Sequence, residues 1–195
     1  TRERSRQVFE FAFELARSRA SAGGKSKVTL VDKANVFSSM AFFRKVFDEV
    51  AATHTDIETE RLYVDACALD LVRRPWEFDV LVTENMFGDI LSDLAAGLVG
   101  GMGFAPSADI GDSRAVFQPA HGSAPDIVGK GIANPTAAIL SGAMMLDWLG
   151  RKHQLSSCLD AARLIEEAVE QALQGGTEAF SSTAGMTQRV MDAVG

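Results

Sequence analysis

The stretch FDVLVTENMFGDILSDLAAGL, Phe78–Leu98, changes period halfway along. Phe78–Val82 is a short apolar run suited to a buried strand. After Thr83-Glu84-Asn85 the apolar residues Leu91, Leu94, Ala95 and Leu98 recur at three- and four-residue spacing, which predicts a helix ended by Gly100-Gly101. A strand that runs straight into a helix is the unit of an α/β fold. The chain upstream repeats it. Lys27–Val31 (KVTLV) reads as a buried strand, followed by a helix over 38–52 with Phe42, Phe43, Val46, Phe47 and Val50 on its inner side. Glu58–Val64 (ETERLYV) reads as a strand, followed at once by a helical pattern from Asp65 to Arg73 that Pro75 stops. Residues 2–21 place Val8, Phe9, Ala12, Phe13, Leu15 and Ala16 at helical spacing, ahead of Gly23-Gly24.

Downstream, Gly101–Pro135 is rich in Gly, Pro, Ser and Asp and keeps no period, so it reads as mainly loop with one strand at Ala115–Gln118. Helices resume at Asn134–Leu149, Ser157–Leu173 and Thr187–Val194, and the first of them, with Met144, Met145 and Trp148, reads as core.

A chain of 195 residues that is 47% hydrophobic can bury a real core. Its net charge of -7 disfavours a nucleic-acid backbone or an anionic membrane as partner, and leaves small molecules, metal cations and protein chains. Cys67 and Cys158 form no metal spacing and are expected to be reduced and buried, in keeping with a cytoplasmic location. No run reaches the roughly 18 apolar residues of a membrane span.

Charged residues recur where a strand ends: Asp32-Lys33 after KVTLV, Asp65 after RLYV, and Glu84 with Asp89 and Asp93 after DVLV. Ligands of open α/β sheets bind beyond the carboxyl ends of strands, so these groups suggest one polar site. Asp89 and Asp93, four apart, would repel on a bare helix. With Asp65 they make three hard carboxylate ligands suited to Mg²⁺ or Mn²⁺. The alternative is that Asp89 caps the helix while Asp93 is solvated. Lys33 is either an acid–base group or a solvated strand-end lysine. The stretch HGSAPDIVGKGIAN (121–134) sets small residues around His121, Asp126 and Asn134 ahead of a helix, an arrangement that can cradle a nucleotide phosphate; Asp126 could accept ribose hydroxyls or simply form a turn after Pro125. His54 and His153 read as surface residues. A Mg²⁺-dependent phosphoryl-transfer protein would also cluster aspartates, but no GxxxxGK[ST] loop is present.

VDKANV (31–36), YVDACA (63–68), TENMFGDILSD (83–93), GFAPSADIGD (103–112) and HGSAPDIVGKGIANPTAAILSGAMML (121–146) together resemble the metal-dependent β-decarboxylating dehydrogenases acting on isopropylmalate, isocitrate, homoisocitrate or tartrate. The tail GGT…SSTAGMTQRVMDAV is similar to that family's end.

The resemblance implies an isopropylmalate dehydrogenase-like three-layer α/β fold. Of it, this chain would be the C-terminal half, with a mixed sheet and flanking helices. Residues 1–107 would belong to a small dimerisation and metal/substrate domain and 108–195 to a larger NAD-binding domain. Asp89 and Asp93 would be metal ligands joined by Asp65 from a partner subunit, so that a homodimer shares its active sites. Lys33, with Asp65, would be catalytic, and it too would reach across the dimer interface. His121, Gly122, Ser123, Ala124, Asp126 and Asn134 would hold the cofactor, with Asp126 favouring NAD over NADP.

The implied reaction is NAD- and Mg²⁺- or Mn²⁺-dependent oxidative decarboxylation of a hydroxy-dicarboxylate. HGSAPDI resembles the isopropylmalate and tartrate enzymes more than the NADP isocitrate enzymes. In this family the substrate-clamping arginines and an acid tyrosine lie in the N-terminal half, so the 195-residue chain alone is expected to be inactive. Tyr63, its only tyrosine, sits on a strand and is not that acid.

Overall fold

In the computed structural model, which describes residues 1–174 and 182–195, β1 (Lys27–Asp32) is the centre of a parallel sheet of order β2-β1-β3, flanked by β2 (Glu58–Tyr63) and β3 (Val80–Val82). Alternation along β1 decides which helices lie on which face. Val28 and Leu30 pack with Val80 and Val82 against Phe9 and Phe13 of α1 (Arg2–Ser21) and Val46, Phe47 and Val50 of α2 (Ser38–Ala51). Val31, one step out of phase, packs on the other face with Cys67 and Leu71 of α3 (Val64–Arg73) and Leu91 of α4 (Asn85–Leu98). This is the α/β architecture expected, helices flanking a parallel sheet. It makes up a first compact unit, Thr1–Ala95.

The second unit, Ala96–Gly195, holds β4 (Pro106–Ile110) and β5 (Ala115–Pro119), an antiparallel hairpin closed by the Gly111 amide donating to the Arg114 carbonyl at 2.9 Å. The mixed sheet expected from the sequence is thus two sheets, one parallel and one antiparallel. Strand β4 falls in the stretch read as loop. It opens on a proline and its far end, Asp109–Ile110, is exposed, so no apolar alternation marks it. α5 (Thr136–His153), which runs four residues past the expected Leu149, packs on the hairpin, with Trp148 and Phe117 rings 6.0 Å apart. α6 (Ser156–Leu173) and α7 (Thr183–Val194) complete a core of Ala168, Val169, Ala172, Met186 and Val190. Residues 175–177 and Ser181 of the quoted tail motif lie outside the described residues.

Three burial expectations change. Phe42 is 42% exposed, because the inner face of α2 is carried by Val46, Phe47 and Val50. Met145 of the supposed core helix is likewise exposed, the buried positions being Thr136, Ala137, Ser141, Ala143 and Gly150. His54 is not a free surface group: its ring stacks on Phe13 at 4.5 Å, with Nε2 2.8 Å from Glu10 and Nδ1 3.1 Å from Arg17. Among the described residues no helix is long and apolar enough to cross a membrane.

Both cysteines are free; Cys67 is buried and Cys158 half-buried. Burial pushes the Cys67 thiol from 9.0 up to about 11, helped by the nearby charges of Asp70 and Glu60. Thiolate is the reactive form, so at pH 8 alkylation of Cys67 in the folded protein is expected to run at least about a hundredfold slower than in unfolded chain. Peptide mapping after iodoacetamide treatment would show it; labelling of Cys67 at the denatured rate would contradict its burial.

Candidate active site

Parallel pairing brings the carboxyl ends of β1, β2 and β3 to one edge of the sheet, and there the charged groups collect. Lys33 follows the last residue of β1 and Asp65 stands in the first turn of α3. The Lys33 Nζ donates to Asp65 Oδ1 at 2.5 Å. This ammonium, aided by backbone amides at the start of α3, holds the Asp65 carboxyl below its ordinary value. Lys33 is therefore not a loose strand-end lysine; its side chain is 24% exposed.

Asp32 is fully buried. Its Oδ2 accepts from Arg44 Nε at 2.7 Å, and its Oδ1 accepts from Arg44 Nη2 at 2.8 Å and from the Ala34 amide at 2.9 Å. One carboxylate thereby fixes the turn that carries Lys33 and ties it to α2. Arg44 was not singled out in the sequence. Its signal was a cation within FFRKVF, amid the apolar residues of α2.

The capping role considered for Asp89 belongs to Glu84. The Met86 amide donates to Glu84 Oε2 at 2.9 Å and the Phe87 amide to Oε1 at 2.8 Å, so two otherwise orphan donors at the start of α4 are satisfied. Asp89 and Asp93 lie exposed one turn apart on α4, and neither carboxylate has a hydrogen-bond or ion-pair partner among the described residues. Two adjacent unpaired carboxylates are the hard-oxygen donor set that a divalent cation takes. However, the described residues contain no group of three or more metal-ligating side chains, so Asp65 is not brought to this pair within one chain.

In the second unit, His121, Gly122, Ser123, Ala124 and Asp126 form an exposed loop before α5. His121 Nδ1 lies 2.9 Å from the Gly122 carbonyl oxygen. Ala124 takes a left-handed conformation, φ +43°, just before a 3₁₀ turn over Pro125–Ile127 that contains Asp126. The Asn134 Oδ1 accepts from the Thr136 amide at 3.0 Å, the first amide of α5, while Gly103 makes room for it: a Cβ there would meet the Asn134 Cβ at 2.9 Å. From α7, the Thr183 amide donates to the Gly131 carbonyl at 2.8 Å and its hydroxyl to the Ala133 carbonyl at 2.5 Å. The loop is anchored at its downstream end. Upstream, the Asp126 carboxylate has no partner among the described residues, and the small side chains leave the backbone accessible, which suits a nucleotide.

Residues 1–194 match the family described as isocitrate/isopropylmalate dehydrogenase. A 3-isopropylmalate/3-methylmalate dehydrogenase of Methanocaldococcus jannaschii is 49% identical over 177 residues, 90% of this chain and 51% of the relative. An isocitrate/homoisocitrate dehydrogenase of Thermus thermophilus is 50% identical over 181 residues, 89% of this chain and 52% of the relative. Among solved structures, an isocitrate dehydrogenase from Methylococcus capsulatus superposes with a TM-score of 0.88 at 45% identity, over all of this chain and 57% of its own. The chain thus spans about half the length of the relatives it matches, and they divide between two substrate types at similar identity.

Proposed function

This chain belongs to the isocitrate/isopropylmalate dehydrogenase family, and from that premise we propose that it is the C-terminal half of a cytoplasmic enzyme that oxidatively decarboxylates a 2-hydroxy acid bearing a β-carboxylate, 3-isopropylmalate first among them. The observation that carries the proposal is the sheet edge where Lys33 is paired with Asp65 while Asp89 and Asp93 stand without a partner among the described residues.

Residues 1–107 contribute to the dimerisation and metal/substrate domain, and 108–195 to the NAD-binding domain. Asp89 and Asp93 hold Mg²⁺ or Mn²⁺ from one subunit and Asp65 reaches it from the partner, so that a homodimer shares two sites. When bound, the cation supplies Lewis-acid polarisation of the substrate's hydroxyl and carboxylate oxygens. Lys33 Nζ exchanges a proton with that hydroxyl, and Asp65 orients it. His121, Gly122, Ser123, Ala124 and Asn134 bind the dinucleotide. Asp126 accepts hydrogen bonds from the ribose hydroxyls and repels a 2′-phosphate, which selects NAD over NADP. By itself the 195-residue chain is inactive and is at most a dimerisation module.

The test is turnover of the full-length protein with Mn²⁺, with NAD or NADP, and with 3-isopropylmalate, homoisocitrate, isocitrate or tartrate as substrate. The highest kcat/KM is expected for 3-isopropylmalate with NAD. A higher value for homoisocitrate or isocitrate, which the Thermus relative favours as second reading, would move the substrate assignment but not the reaction class. No turnover of any of the four would sink both.

A further inference from the structure

We propose that the ring of Tyr63, held by Arg44 and through it by Asp32, is the device that positions the Lys33 amine, an inference that rests on the role just proposed for Lys33. Tyr63 is the last residue of β2 and pairs in register with Asp32 at the carboxyl edge of the sheet. Lys33 Nζ lies 5.7 Å from the Tyr63 ring centroid and the Arg44 guanidinium carbon 5.2 Å from the same centroid, both within reach of a cation–π contact.

Lysine ends a flexible four-carbon stem, and its only carboxylate partner among the described residues, Asp65, has a side chain that is 70% exposed. One ion pair with so exposed a carboxylate holds a lysine weakly. The ring supplies a second contact from another direction. It is in turn fixed by Arg44, whose two-pronged pair with fully buried Asp32 leaves it little freedom. The same Asp32 also accepts from the Ala34 amide, directly after Lys33. Backbone and amine of Lys33 are therefore both referred to one buried carboxylate, the first through Ala34 and the second through Arg44 and the ring.

The Tyr63 hydroxyl has no hydrogen-bond partner among the described residues, and the contact with the Lys33 amine is made by the face of the ring. This separates positioning from mere filling of the strand edge, because phenylalanine keeps the face and leucine or methionine keeps only bulk.

The experiment compares Y63F, Y63L and Y63M in the full-length protein, two ringless variants guarding against one failing to fold. In Y63L and Y63M, kcat is expected to fall about tenfold with substrate KM within about threefold of wild type, and in Y63F to recover to within about twofold. Equal kcat in all three variants, or a Y63F as slow as Y63L, overturns the proposal. A wild-type protein that oxidises no hydroxy acid overturns the proposed reaction instead. Crystal structures then decide the positioning separately: it stands if Nζ leaves Asp65 by more than about 4 Å in Y63L but not in Y63F, and falls if Nζ stays in both.

Discussion

Asp89→Asn in the full-length protein is expected to lower Mn²⁺-dependent turnover at least about a hundredfold, since Lewis-acid stabilisation of developing oxyanion charge is worth several kcal/mol. Asparagine keeps the shape of the side chain and drops its charge. Without metal the sign reverses. Asp89 and Asp93 repel across one turn of α4 and have no cation of their own among the described residues, so the uncharged variant should be more stable by about 0.2–0.5 kcal/mol. Thermal unfolding with and without Mn²⁺ reads both effects. Wild type gains in melting temperature as Mn²⁺ is raised, by mass action on the folded state, and the variant gains far less. Undiminished turnover, or an equal Mn²⁺ shift in both proteins, would remove Asp89 from the metal site.

The second large effect is on stability. Arg44→Ala strands the Asp32 carboxylate, which is fully buried and keeps only the Ala34 amide as partner among the described residues. Removing the partner of a buried charge costs about 3–5 kcal/mol when both members are buried, and with the Arg44 side chain 28% exposed the lower end of that range is expected, because the remaining charge has lost its compensation without fully regaining water. Denaturant unfolding should show a lower midpoint at unchanged slope. Asp32→Asn in the Arg44→Ala background should return part of the loss, since an amide is cheaper to bury than an anion. A change below about 1 kcal/mol in Arg44→Ala would mean that the carboxylate reaches water or another partner.

Period and punctuation made the first unit legible. The shift from a short apolar run to helical spacing at Val82–Asn85 is visible in the residues and is where β3 passes into α4. What could not be read was direction within a face. Phe42 and Phe43 are neighbours in one apolar run, and the packing of α2 on the sheet leaves the first exposed and the second packed on the core. β4 escaped for a different cause: a two-stranded hairpin with its end exposed needs no alternation, so PSADI carries no signal. At the site, the motifs named Lys33, Asp65 and the α4 aspartates, yet nothing local shows that Asp32 takes Arg44, twelve residues on, or that Glu84 and not Asp89 caps α4. Those are contacts between elements, or choices between neighbouring acids, that appear only once the backbone is placed.

The central position of β1 also sets a clock on synthesis. Of the three strands of its sheet it is made first, and its partners follow only at Glu58–Tyr63 and Val80–Val82. At about 5–20 residues per second, the ribosome needs about 3–11 s after starting β1 to deliver the end of β3. Through that interval Val28, Leu30 and Val31 have no complete sheet to bury them and both edges of the strand are open. The nascent first unit is therefore most exposed to wrong pairing in those seconds, and a chaperone that binds apolar strands early in translation should raise its soluble yield more than one added after release.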